Sequence, residues 1–277
     1  MERESSVGNP YLIQGPALIS VSGGRTSGFM LRQIIDAHGG TLPADVVPVF
    51  CNTGKEVEAT LLFVKEISER YAPIKWLEYR NDGTGHRFVE VDYCRASRKG
   101  EPFDQVIAHR GMVPCRVARF CSGELKTRTG NRYAKSLGWD DWTRAVGMRA
   151  DEPRRALSLA ADCPEETPVC PMFRAGHTLE DVKAFWRQQP FDLELPGGDN
   201  AFGNCDCCFL KRRARIEKVM LAKPEAGEWW AKHEEATGSV FRIDRPTYRQ
   251  MLTQLSVQGR LLDDAIEDDT LPCACTD

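Results

Sequence analysis

No stretch of the 277-residue sequence approaches the roughly 20 consecutive apolar residues that a membrane span requires. Nor does the start show the basic-then-apolar order of a secretory leader. The expectation is a cytoplasmic chain with no membrane partner. An excess of one charge is also missing: 37 Lys and Arg against 40 Asp and Glu leave a formal net charge of −3 and a pI near 6.0. No global field therefore recruits nucleic acid, and any such surface must be a local patch. Internal repeats and low-complexity tracts are lacking as well, which excludes a solenoid.

What the sequence does hold is a hydrophobic content of 42%, enough to bury a sizeable core as one large α/β domain or one domain with an appendage. It also holds 11 cysteines. In a reducing compartment disulfides do not persist, so clustered thiols point to metal or redox chemistry. The informative cluster is the one after residue 200.

Hydrophobic periodicity predicts a first strand over Ala17–Val21, a helix from Phe29 to His38 closed by Gly39-Gly40, and a second strand over Val46–Phe50 in which Pro48 is awkward. A helix from Val57 to Arg70 and a strand over Ile74–Tyr79 follow. The pattern weakens between Arg80 and Pro114, read as an insertion over the site. Trp142–Val146 is the next strand, and Thr178 caps another helix with Val182, Phe185 and Trp186 buried. Strands alternating with helices at this spacing imply a doubly wound, mainly parallel sheet with its site at the strands' C-terminal ends. The expected division is an α/β domain over residues 1–175 and a helical, cysteine-containing region over 176–277.

Between the first strand and first helix stands Ser22-Gly23-Gly24-Arg25-Thr26-Ser27. Adjacent glycines let the backbone turn sharply and approach a ligand, and the hydroxyls surround the unpaired N–H groups of a helix start. That is an anion cradle, to which Arg25 would add a full charge. A side chain at Gly24 is expected to block the approach. The string lacks the lysine of a G-x-x-x-x-G-K-[ST] loop, so it is not built to reach a γ-phosphate. The plain alternative is an ordinary glycine-rich turn with a Ser/Thr cap.

Further along, Asn52-Thr53-Gly54 follows the second strand on the same sheet edge. Arg149, Arg154 and Arg155 crowd a loop after Val146, where guanidinium forks suit phosphate or sulfate. Cys205-Asp206-Cys207-Cys208 contains C-x-x-C, a spacing that by itself fits zinc, an iron–sulfur cluster or a dithiol. Cys121 lies beside Arg119, Lys126 and Arg128, charges that favour a thiolate. Lys211, Arg212, Arg213, Arg215 and Lys218 form a basic run that is either a solvated helix face or a contact for DNA or tRNA. Cys273 and Cys275 stand as C-x-C in the tail.

The ordered set of glycine loop, Asn-Thr-Gly, Cys121-Ser122-Gly123-Glu124-Leu125-Lys126, Gly147-Met148-Arg149-Ala150-Asp151-Glu152-Pro153-Arg154-Arg155 and C-x-x-C resembles the phosphoadenylyl-sulfate (PAPS) reductase-like proteins. These belong to the PP-loop adenine-nucleotide α-hydrolase superfamily. The resemblance runs from about Pro16 to Lys211 and implies a Rossmann-like fold of the HUP type. It further implies ATP, or PAPS/APS as substrate, held by Ser22–Ser27, Asn52, Thr53, Gly54, Lys126, Arg149, Arg154 and Arg155, with Mg2+ as the accompanying ion. It implies a [4Fe–4S] cluster on Cys121, Cys205 and Cys208 and Arg149 as a catalytic residue; the C-x-C of the tail, outside the resemblance, offers Cys273 as a fourth ligand and Cys275 as a catalytic sulfur-relay thiol, or is simply a frayed end. The tail lacks the Glu-Cys-Gly-Leu-His of cluster-free PAPS reductases. The expected function is ATP-dependent sulfur transfer by adenylation of an acceptor with release of pyrophosphate, served by a sulfur or electron donor protein. Reduction of PAPS or APS to sulfite, and a non-catalytic nucleotide-sensing or DNA-binding role, are the alternatives.

Overall fold

The first strand, β1 (Ala17–Ser20), is apolar on both faces, as a strand buried between two layers of helix must be. In the computed structural model, which describes residues 8–258, it lies inside a six-stranded sheet. The chain runs from β1 through α1 (Arg25–Ala37), β2 (Val46–Asn52), α2 (Glu58–Arg70), β3 (Lys75–Asn81), β4 (His86–Val91) and α3 (Glu101–Arg110). A continuous helical stretch follows, made of α4 (Phe120–Ser122), a π-turn over Gly123–Thr127 and α5 (Arg128–Ser136). Next come β5 (Trp142–Val146), α6 (Pro153–Leu157), β6 (Glu166–Val169), α7 (Pro171–Ala175) and α8 (Leu179–Trp186). The described part closes with α9 (Arg213–Ala222), α10 (Pro224–Thr237) and α11 (Tyr248–Gln258).

Strand order is β4-β3-β2-β1-β5-β6, parallel throughout except for antiparallel β4. This is the doubly wound α/β fold expected. Side chains alternate through β1: Ala17 and Ile19 pack with α1, α2 and α8, while Leu18 packs with Tyr133 and Ala134 of α5. Pro48 is tolerated because it pairs only with Ile19 of β1; pairing with β3 begins one residue later, at Val49, so the missing N–H is not needed on that side.

Three expectations need correction. Helix α1 begins at Arg25, four residues before Phe29, so the glycine loop runs straight into the helix. The span Arg80–Pro114 is ordered structure: β4 extends the sheet at the edge farthest from β5, and α3 joins a second core. The packing also divides later than residue 175. Val182, Trp186, Phe191, Leu193 and Leu195 belong to the core of the sheet, whereas the second core joins α9, α10 and α11 to α3, Tyr79 and Leu125. Among the described residues no helix is long and apolar enough to cross a membrane.

The Thr178 cap forms as expected, with Asp181 accepting from the Thr178 backbone N–H and hydroxyl at 2.7 and 2.8 Å. It aims Trp186 at Gly28, where an added Cβ would stand 2.8 Å from Trp186 Cζ2 and 2.9 Å from Ile67 Cδ1. Gly28→Ala should therefore overpack the junction of α1, α2 and α8 and cost about 1–3 kcal/mol. A urea titration should show an earlier midpoint; an unchanged midpoint would mean that the tryptophan gives way freely.

Candidate active site

The turn from β1 into α1 is held by one hydroxyl. Ser27 Oγ accepts from the Ser22 backbone N–H at 3.0 Å and from Ser22 Oγ at 3.0 Å, and donates to the Gly24 carbonyl at 2.9 Å. Gly23 takes φ +87°, a left-handed conformation that favours glycine, and a Cβ there would meet Thr60 Cγ2 at 2.5 Å. Gly24, the N-cap, has φ −103° and ψ 167°, open to any residue. The demand on backbone conformation thus falls on Gly23. Among the described residues the start of α1 has no side-chain cap and no acid in its first turn. Its N–H groups and partial positive charge are left for an external anion.

Arg25 does not face that anion site. Its fork grips Asp192, Nε to Oδ1 at 2.7 Å and Nη2 to Oδ2 at 3.0 Å, and Nη2 also donates to the Leu193 carbonyl at 2.7 Å. It fastens the α1 start to the segment after α8. The cation that does reach the loop is Arg149, only 6% exposed, whose Nη1 donates to Thr26 Oγ1 at 3.2 Å. Asp151 and Glu152 hold the same guanidinium at 3.0 and 3.3 Å. Arg155 pairs with Glu152, and Arg154 is exposed on α6. β5 comes close enough that a Cβ on Gly147 would lie 3.4 Å from Ser27 Cα.

Between these loops, at the point where strand order reverses from β1 to β5, lies a cavity of about 280 Å³. Its walls include Ser22, Thr26, Ser27, Gly147 and Met148 at one end, Leu18, Val49 and Cys51 along the floor, and Ser122, Lys126 and Thr127 from the π-turn. Cys51 donates to the Lys126 carbonyl at 3.5 Å, and burial pushes its thiol up to about 12, so it is an inert wall. Lys126 lines the cavity with its ammonium 3.7 Å from buried Glu56.

Asn52, Thr53 and Gly54 are placed elsewhere. The Asn52 amide donates to Glu78 at 2.7 Å and to the Ser97 carbonyl at 2.9 Å, and its Oδ1 accepts from Gly54 N–H at 3.1 Å. Thr53 donates from backbone and hydroxyl to Glu56 at 2.9 and 2.8 Å. Gly54, at φ +78°, abuts Gly100. The turn is closed on itself, and none of the three lines the cavity. What it meets is the cysteine turn: Thr53 Oγ1 lies 3.7 Å from Cys205 Sγ, Glu56 bridges Cys205 through the backbone, and Asp206 N–H donates to the Lys55 carbonyl at 2.9 Å.

That junction contains the residues sequence reasoning missed. Lys55, 5% exposed, pairs with Asp206 at 2.8 Å and sits 4.8 Å over the Trp229 ring. Asp206 also accepts from Trp230 Nε1 at 2.8 Å. The only available signal was adjacency, Lys55 following Asn-Thr-Gly and Asp206 standing inside the cysteine cluster.

Cys121, Cys205 and Cys208, drawn from α4 and the turn before α9, all pack against the same apolar cluster, while Cys207 is fully buried within it. Among the described residues no group of three or more His, Cys, Asp or Glu side chains is arranged to hold a metal ion. Cys273 and Cys275 lie outside the described residues. Lys211 is not a surface cation: its ammonium donates to the carbonyls of Ala201, Cys205 and Asp206 at 2.7, 2.8 and 2.6 Å. Burial lowers its pKa, opposed by Cys208, Cys207 and Cys205. Arg213 is taken by Glu217 and Gln254, and Lys218 by Asp199. Ile216, Val219 and Met220 face inward as expected.

No family model matches the chain. It is 28% identical over 262 residues to an uncharacterised nin-region protein, ORF290, of Escherichia phage lambda, covering 90% of this chain and 83% of that protein. It is 24% identical over 273 residues to an uncharacterised 37.8 kDa protein of Escherichia phage 186, covering 83% of this chain and 78% of that one. Among solved structures it is similar to PAPS reductase from Candida auris in a phosphate complex, at 15% identity and TM-score 0.42 over 67% of this chain and 82% of that one. It is also similar to the U34-tRNA thiolase NcsA of Methanococcus maripaludis with its [4Fe–4S] cluster, at 14% identity and TM-score 0.40 over 99% of this chain and 83% of that one.

Proposed function

We propose that the chain is a PAPS-reductase-like PP-loop enzyme that binds ATP or an adenylyl nucleotide between the Ser22–Ser27 loop and the Arg149 loop and uses it in sulfur transfer. The observation that carries this reading is the bond from Arg149 to Thr26, which joins an arginine-rich loop to a glycine loop 123 residues away at a residue that lines the cavity. Backbone N–H groups at the start of α1 take the terminal phosphates, with Mg2+ as their accompanying ion. Arg149, already fixed by Asp151 and Glu152, is preorganised to receive charge that develops at the α-phosphate. An acceptor oxygen attacks that phosphorus, the bond to the β-phosphate oxygen breaks, and pyrophosphate leaves held by the loop.

Cys121, Cys205 and Cys208 are proposed to hold a [4Fe–4S] cluster, with Cys273 as the fourth ligand. The donor chemistry suits it: two thiols come from one turn and a third from α4, beside a buried ammonium that favours anionic sulfur. When bound, such a cluster supplies sulfide or electrons. Cys275 is proposed as the thiol that relays sulfur.

Two measurements test these readings. In calorimetry with ATP and with PAPS, Gly23→Val should abolish binding, and Arg149→Lys, which keeps the charge and loses the fork, should weaken it about tenfold, or ~1.4 kcal/mol. Unchanged affinity in both folded variants would remove the nucleotide assignment; tight binding of PAPS alone, with sulfite as product, would select the reductase. In anaerobically purified protein, Cys121→Ser, Cys205→Ser and Cys208→Ser should each lose the iron that Cys94→Ser retains. Full iron content in any of the first three would withdraw that residue from the ligand set.

A further inference from the structure

Glu124 sits in the π-turn, 3% exposed, and is shared by three arginines: Arg110 Nη2 at 2.9 Å, Arg128 Nη1 at 2.7 Å and Arg132 Nη2 at 3.1 Å. Burial alone would push this carboxyl up, yet the hydrogen bonds from Arg132 and Arg128 hold it below the usual carboxylate range. It is ionised at neutral pH and compensates one cation of three. Asp162, at 3.2 Å from Arg128, partly compensates a second. The forks are only partly used. Among the described residues, Arg110 and Arg132 each give one nitrogen to a carboxylate; the Arg110 and Arg128 side chains are 39% and 43% exposed, whereas Arg132 is 22% exposed with its Nη1 buried.

This cluster is contiguous with the cavity. Asp162, the partner of Arg128, lines it, as do Lys126 and Thr127 immediately before Arg128. Rings lie against the guanidinium groups: Arg110 lies 5.5 Å over half-buried Phe120, Arg132 lies 5.7 Å over Tyr79, which is itself buried in the second core, and His86 stacks edge-on with His109 at 4.6 Å. Both histidines are exposed. Partly committed guanidinium forks beside the exposed rings of His86 and His109 match a phosphodiester backbone with stackable bases. Of the basic run before and along α9, Lys211 is buried, and Arg213 and Lys218 pair with Glu217 and Asp199.

We propose that the arginines gathered around Glu124, with the flanking rings, dock the phosphodiester backbone of a single-stranded nucleic-acid acceptor beside the cavity mouth. The inference rests on the nucleotide reading above for calling this ligand the acceptor; the binding itself is measured without nucleotide.

The test is fluorescence anisotropy of the full chain with a labelled single-stranded DNA and the RNA of the same sequence, over a series of salt concentrations. Affinity should fall with salt. Arg110→Gln and Arg132→Gln, each leaving two arginines on Glu124, should lower the slope of log K against log salt by about 0.7 apiece. Arg213→Gln on α9 should leave the slope unchanged. Stronger retention of DNA or of RNA identifies which acceptor is used. Absence of binding to both at low salt, or a slope lowered by Arg213→Gln and not by Arg110→Gln and Arg132→Gln, overturns the proposal. ATP calorimetry on Arg110→Gln, whose side chain is away from the cavity, should match the unsubstituted protein. No docking by the unsubstituted chain beside intact ATP binding would sink this surface alone, whereas lost ATP binding in Gly23→Val with docking intact leaves it standing.

Discussion

The arrangement depends on β1 having parallel neighbours on both sides. Strands β2 and β5 flank it in the same direction, so all three chains leave the sheet at one edge, and strand order reverses between β1 and β5. The connections from β1 and β5 cannot cover the gap between them. The glycine loop, the arginine loop and the π-turn are what close over it, and the cavity is the space they leave. A helix N-terminus without a cap or an acid would be a defect on an ordinary surface. Here it opens on that gap, and Thr26 is already bonded to a cation that would meet the same ligand.

Much of this was legible in the sequence because it is local. Strands β1, β2 and β5, the glycine turn and the Thr178 cap are each specified within a dozen residues. Partners distant in sequence were not legible. Arg25 looks like a phosphate ligand until Asp192, 167 residues on, takes its fork. Asn52 looks like a nucleotide contact until Glu78 and Ser97 use its amide. Lys211 reads as the start of a basic face, yet three carbonyls enclose its ammonium. Strand β4 escaped for another reason: as an edge strand with every residue exposed or half-buried, it carries no apolar alternation for a periodicity argument to find.

The two cores are joined by charge as well as by apolar contact. Lys55 and Asp206 form a pair largely withdrawn from water, set against Trp229 and Trp230. Such a pair contributes little net stability relative to apolar packing, but it is strongly directional, and losing one partner strands a buried charge. It fixes the cysteine turn against the end of β2 in one register. The turn can therefore be held in place even though its own backbone lacks regular secondary structure.

The π-turn over Gly123–Thr127 has a consequence of a different kind. A π-turn accommodates one more residue than the α-helix around it, and each residue of an α-helix advances the azimuth by about 100°. Because α4, the turn and α5 are continuous, the side chains before the extra residue face a direction that an uninterrupted helix would not give them. Cys121 is turned toward the second core while Tyr133 and Ala134 stay seated under the sheet. The helix thus addresses two cores at once, and its register is a one-residue switch: a single deletion that let the turn relax would rotate one end away from its core while every side chain in the stretch remained chemically the same.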